Sequence, residues 1–112
     1  MQITAAVVRE KFKPYEIDTF ELDDPRPGEV LVKVAASGIC QTDVHGRDGY
    51  FQIPYPAVFG HEGAGIVSAV GHGVTTLVPG DHVVMSFPWC GVCPTCSAGR
   101  IAYCQDAGKL KQ

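Results

Sequence analysis

Apolar residues in this chain come in short groups, cut off every few positions by glycine, proline or a charge. Strand signals run over residues 3–8 and again over 15–22. Asp24-Pro25-Arg26-Pro27-Gly28 follows, a turn whose prolines and glycine favour the required dihedrals. Val30, Val32 and Val34 then alternate with Leu31, Lys33 and Ala35, which predicts a half-buried strand with its β-branched residues on one face. Further strands are predicted over 65–70 and, beyond the turn Pro79-Gly80-Asp81, over 82–87. Only 41–47 reads as a helix, a short one opening just after Cys40. Thirteen glycines and eight prolines punctuate the chain too often for long helices, so a mainly β, irregular fold is expected.

Composition narrows the class. With 112 residues, 46% of them hydrophobic and 19% charged, the sequence describes one folded domain over 1–112 and excludes a charge-solvated disordered chain. The net charge of −3, with no basic stripe, argues against nucleic acid as a partner. No apolar run reaches the ~18–20 residues that span a bilayer, and Met1-Gln2-Ile3-Thr4 lacks the basic region of a signal peptide. A soluble, cytoplasmic protein without a membrane partner is therefore expected. From 49 to 99 the only charged residues are Glu62 and Asp81. A carboxylate so isolated is either solvated on a loop or held for a purpose.

Five cysteines without a secretory signal point to a metal or a reaction rather than to a disulfide framework. Cys90, Cys93, Cys96 and Cys104 form C-x2-C-x2-C-x7-C. Tetrahedral zinc needs four ligands converging at about 2.3 Å, and two-residue gaps let a tight turn aim successive thiolates at one point. Gly91, Pro94 and Gly99 supply the turn chemistry. The expectation is a four-cysteine zinc lobe over about 88–106 whose output is folding free energy rather than catalysis. Two rivals stand beside it. A pair of disulfides conflicts with the expected compartment. An iron–sulfur cluster also begins C-x2-C-x2-C, but its runs usually place the fourth cysteine after three residues with a proline following; here Gln105 follows Cys104.

Cys40 stands apart from the lobe, at the predicted strand-to-helix junction, where a helix N-terminus favours the thiolate. His61 and Glu62 sit in Gly60-His61-Glu62-Gly63-Ala64-Gly65, whose glycines let the backbone bend tightly. Taken singly, a lone cysteine is usually a small buried hydrophobe, and a lone histidine a satisfied core or surface residue. Gly60, Gly63 and Gly65 spell G-x-x-G-x-G and lead into a predicted strand, so this is not a dinucleotide-binding loop. His72, between two glycines, reads as solvated, His82 as the start of a strand, and Asp81 as a turn residue bonded to backbone amides.

Cys40-x-Thr42-Asp43-x-His45, Gly60-His61-Glu62-Gly63-Ala64-Gly65, Gly80-Asp81-His82-Val83 and the four-cysteine lobe together resemble, in order and spacing, the zinc-dependent medium-chain alcohol dehydrogenases, aryl-alcohol dehydrogenases included. The resemblance covers essentially the whole chain. It implies the family's N-terminal catalytic domain, a GroES-like, irregular and partly open β-barrel. Cys40 and His61 then match ligands of a catalytic zinc, Glu62 an alternative ligand, and Asp43 the acid that orients the metal-bound histidine. Thr42 and His45 match a proton relay, with Gln41 and His45 beside the coenzyme. The reaction implied is Lewis-acid activation of an alcohol and hydride transfer to or from NAD or NADP, interconverting a primary alcohol, with a mild preference for an aromatic one, and its aldehyde. A homo-oligomer is implied for the full-length enzyme.

Departures from the family pattern set limits. The family's second cysteine ligand lies past the lobe, and here only Cys104 follows Cys96. Gln41 stands where many members carry Arg or His against the coenzyme pyrophosphate, so weaker coenzyme binding or faster release is expected. Nothing in the chain supplies the Rossmann-type coenzyme domain. Phe87 and Trp89 fall where members place part of the substrate pocket, although aromatics beside a lobe are also ordinary packing. The isolated chain is expected to hold one zinc tightly in the lobe and another weakly at Cys40 and His61, and to be nearly inactive. A stand-alone structural or interaction zinc module is the alternative, and an electron carrier a third reading.

Overall fold

The computed structural model describes residues 1–107. Its elements, in order, are strands β1 (Gln2–Val8), β2 (Glu16–Glu21) and β3 (Val30–Ser37), helix α1 (Gln41–Arg47), strands β4 (Ala57–Val58), β5 (Gly63–Val70) and β6 (His82–Val84), helix α2 (Pro94–Ser97), and a 3-10 turn at Ile101–Tyr103. The mainly β expectation holds. Among the described residues there are two three-stranded antiparallel sheets, ordered β2-β1-β4 and β3-β5-β6, and no closed barrel. No helix among them is long and apolar enough to cross a membrane.

The first sheet is a hairpin in regular register, from Gln2 opposite Glu21 to Val7 opposite Glu16. Its other edge is β4, which pairs Val58 with Val7 and Ala57 with Val8. Among the described residues Val7 and Val8 are the largest fully buried side chains, and Val67 of β5 is also in the small core. Two residues between Pro56 and Phe59 are too few to carry a period, which is why β4 is invisible in the sequence.

The second sheet positions the chemistry. Val30 pairs with Val70 and Ser37 with Gly63, with bulges between Leu31 and Val32 and between Val34 and Ala36. A bulge shifts the alternation of faces. Val34 is accordingly 54% exposed, and the regular one-faced burial expected of β3 is not realised. At the other edge β6 is shorter than the 82–87 predicted. One more bond runs from the Met85 N–H to the Gly63 carbonyl at 2.7 Å, but β5 begins there and leaves Ser86 and Phe87 no strand to pair with. The chain peels away into the lobe.

Candidate metal centres

The lobe is built by local turns. Gly91 and Gly99 take positive φ values of 75° and 78°, conformations that cost glycine nothing. Cys93 caps α2 in extended conformation, Pro94 occupies the first turn, and Cys96 lies three positions beyond Cys93 on the same helical face. The Cys93 N–H donates to the Cys90 sulfur and the Cys90 N–H to the Cys104 sulfur, each at 3.3 Å. All four sulfurs lie within 4.8 Å of one another, with Cys93 and Cys96 buried. No cysteine is bridged to another.

The electrostatics of the four thiols diverge. The Thr95 hydroxyl, 3.1 Å from the Cys93 sulfur, pulls that thiol well below the ordinary range, to about 5, helped by the backbone N–H groups of Gln105 and Cys96. The Cys90 N–H also lowers Cys104. Burial, foremost, pushes Cys96 up to about 12. Packed thiolates repel one another, so without a counter-charge only part of the set ionises. A divalent cation removes that obstacle, and four converging thiols are the donor set that zinc takes in closed sites.

A second group of donors lies at the paired ends of β3 and β5. Cys40 is the N-cap of α1, in extended backbone, and the Asp43 carboxylate accepts the Cys40 N–H at 2.8 Å. Beneath the helix lies an aromatic bed. The Tyr15 hydroxyl donates to the Asp43 carbonyl at 3.0 Å, the Tyr55 hydroxyl to the Gly46 carbonyl at 2.5 Å, and the Phe59 ring lies edge-on to both tyrosines at 6.5 Å. His61 and Glu62 arrive on the two residues before β5. One donor atom each of Cys40, His61 and Glu62 lies within 4.8 Å of the others. Sulfur, nitrogen and carboxylate oxygen are a donor set that fits zinc, and three protein donors leave a coordination position over.

The other residues singled out from the sequence fall as follows. Asp43 is buried, with one oxygen on the Cys40 N–H and the other 3.8 Å from His61 Nδ1, beyond hydrogen-bond length. Thr42 Oγ1 lies 3.4 and 3.3 Å from the two ring nitrogens of His61, facing the imidazole between them. His45 packs on Tyr50 and Phe51, at centroid distances of 4.8 and 6.4 Å, and Gln41 is exposed at the first position of α1. His72 and His82 are exposed, and Asp81 accepts the Val78 N–H at 2.9 Å, a turn role as expected.

The resemblance pointed to Phe87 and Trp89 for part of a pocket, and the structure supplies the rest of its lining. Phe87 stacks on His61, and beyond it Phe87, Pro88, Trp89, Ile101 and Ala102 line a cleft of about 430 Å³. Ile101 and Ala102 carry no motif; only the fold of the lobe brings them to the same cleft as Trp89.

Residues 26–110 match the family model for the alcohol dehydrogenase GroES-like domain. The chain belongs to that family. Over 105 residues it is 50% identical to the NDMA-dependent alcohol dehydrogenase of Amycolatopsis methanolica, covering 93% of this chain and 28% of that protein. Two solved structures are similar throughout. An alcohol dehydrogenase zinc-binding domain protein from Burkholderia ambifaria superposes with a TM-score of 0.95 at 48% identity, covering 98% of this chain and 30% of its own. Benzyl alcohol dehydrogenase from Acinetobacter calcoaceticus gives 0.91 at 46% identity, covering 95% and 29%. This GroES-like chain thus spans less than a third of the length of these relatives.

Proposed function

We propose that this chain is the metal-carrying catalytic portion of an NAD- or NADP-linked alcohol dehydrogenase that interconverts a primary, preferentially aromatic, alcohol and its aldehyde. The observation that carries the reading is the contrast between two donor groups in one domain. The closed four-thiol lobe suits a structural zinc. The Cys40, His61 and Glu62 group has a position to spare and opens beside an aromatic cleft. The names of the relatives, benzyl alcohol dehydrogenase among them, support the substrate class.

Zinc bound at the second group supplies Lewis acidity, which makes an alcohol hydroxyl acidic near neutral pH. The chain's own residues do the rest. Cys40, His61 and Glu62 would hold the ion, and Asp43, fixed on the Cys40 N–H, steadies the first turn of α1 with its other oxygen 3.8 Å from His61 Nδ1. Thr42 Oγ1 takes the proton leaving the substrate hydroxyl, and His45 is the next acceptor toward solvent and the coenzyme. Phe87 and Trp89 offer apolar faces to an aromatic ring and keep water from the reacting carbon. Gln41, exposed at the start of α1, meets the coenzyme pyrophosphate with a neutral amide, so coenzyme release is fast. The family's Rossmann-type domain and further cysteine ligand are not among these 112 residues; the enzyme proposed would draw them, and much of a homo-oligomer's interface, from further sequence. Five unbridged thiols suit the cytoplasm.

Elemental analysis of the purified chain after gel filtration tests the reading. One firmly held zinc per chain, a second at partial occupancy, and negligible benzyl alcohol oxidation by the isolated chain with NAD are expected. Iron in the lobe, or no metal, would overturn it.

A further inference from the structure

Among the described residues no side-chain hydrogen bond holds the Glu62 carboxylate. Its polar neighbour is His61, whose Nε2 lies 3.8 Å from Oε1, and its side chain is 48% exposed. A long acidic side chain so placed would ordinarily swing into water. Its seat is formed by a missing neighbour. A Cβ on Gly38 would overlap Glu62 Oε2 and come within 3.1 Å of the Glu62 Cβ and 3.3 Å of its Cδ. The backbone of Gly38 lies outside the left-handed region, so its conformation does not require glycine; the space does. The sheet explains the juxtaposition. Ser37 pairs with Gly63, and one step beyond the ladder the Gly38 N–H donates to the Glu62 carbonyl at 2.9 Å, which lays the Glu62 side chain across the bare Cα.

We propose that Gly38 is a positioning residue, the slot through which the Glu62 carboxylate reaches Cys40 and His61 as the third donor to a divalent cation. The proposal rests on the reading of these three residues as a metal site. A side chain at Gly38 costs the site and not the fold. The atom it overlaps is the free end of a flexible side chain, which can turn outward into solvent, and the 3.1 Å approach to the Glu62 Cβ needs a shift of only a few tenths of an ångström.

The test uses the chain with zinc in its lobe, titrated with cobalt(II) and followed by d–d and thiolate-to-cobalt absorption. Relative to the unaltered chain, Glu62→Gln should weaken cobalt binding about tenfold or more, and Gly38→Ala by a similar factor. The double variant should bind no more weakly than either single one, since both remove the same donor. Gly38→Ala binding as tightly as the unaltered chain, or losses that multiply in the double variant, would overturn the proposal. His61→Ala should abolish the bands; if they persist unchanged, the metal reading itself fails and takes the proposal with it. Should Gly38→Ala not fold, Gly38→Ala with Glu62→Gly must fold, because removing the Glu62 Cβ, Cδ and Oε2 relieves every close contact. An unfolded double variant would sink the slot.

Discussion

The imidazole of His61 lies stacked on the phenyl ring of Phe87, centroids 4.9 Å apart and planes inclined by 19°. One ring belongs to the donor group and the other to the wall of the cleft, so a single contact joins the donor side of the site to its apolar side. Stacking also restricts the rotation of His61, and a ligand held in one rotamer loses less entropy when it binds an ion.

Replacing Phe87 should therefore be felt as a substrate effect more than a stability effect, because the ring is half-exposed. On the proposed reaction, and in a chain that includes a coenzyme domain, Phe87→Ala is expected to raise KM for benzyl alcohol several-fold to about tenfold, the scale of an aromatic pair worth ~0.5–1.5 kcal/mol. The change for ethanol should be smaller. Steady-state kinetics with both alcohols check it; equal changes would detach Phe87 from aromatic recognition.

Gly46 offers a competition between two terms of opposite sign. In an exposed helix Gly→Ala gains about 1 kcal/mol. Here an added Cβ would meet the Phe59 ring at 2.6 to 2.9 Å, and overpacking of that kind costs ~1–3 kcal/mol. Gly46→Ala is expected to destabilise the domain in urea titration. Net stabilisation would mean that the aromatic bed gives way more easily than its packing indicates.

Tyr15 makes stability depend on alkaline pH. Burial, foremost, raises its phenol above the ordinary value of 10.0, with the nearby Asp43 carboxylate adding to the effect. The folded state thus favours the protonated form. Its contribution is complete below pH 10 and is lost as pH rises through the higher folded value. Tyr15→Phe should cost about 1 kcal/mol near neutrality through the lost bond to the Asp43 carbonyl, yet show a shallower loss of stability above pH 10. Urea titrations of both proteins between pH 8 and 11, that is about two units below and one above the ordinary tyrosine value, provide the comparison.

Metal removal should act on the lobe as a unit. Cys96→Ser is expected to release the lobe zinc and loosen residues 90–104, leaving the β1–β2 hairpin intact, since the lobe's contacts run mainly between α2 and the 3-10 turn. Hydrogen exchange measures this residue by residue. Loss of protection across both sheets would show that the lobe also supports the body of the domain.

The helix at 41–47, the long strands and the convergence of four cysteines were legible in the chain because each is set by neighbours within a few positions. Strand alternation, an N-cap followed by Asp43, and cysteines separated by two residues with Gly91 and Pro94 in the gaps act locally, and local geometry survives whatever the rest of the fold does. The meeting of Cys40 with His61 and Glu62 has no such local cause. It follows from Ser37 lying opposite Gly63, a pairing that aligns the chain leaving β3 with the chain entering β5 and that no period along either strand specifies. The bulges that expose Val34, the pairing of β4 with β1, and Ile101 sharing a cleft with Trp89 are of the same kind. Which chemical groups this protein carries was written in its residues. Which of them touch was decided by strand register, because long-range pairing is chosen by the burial and hydrogen bonding of the whole sheet.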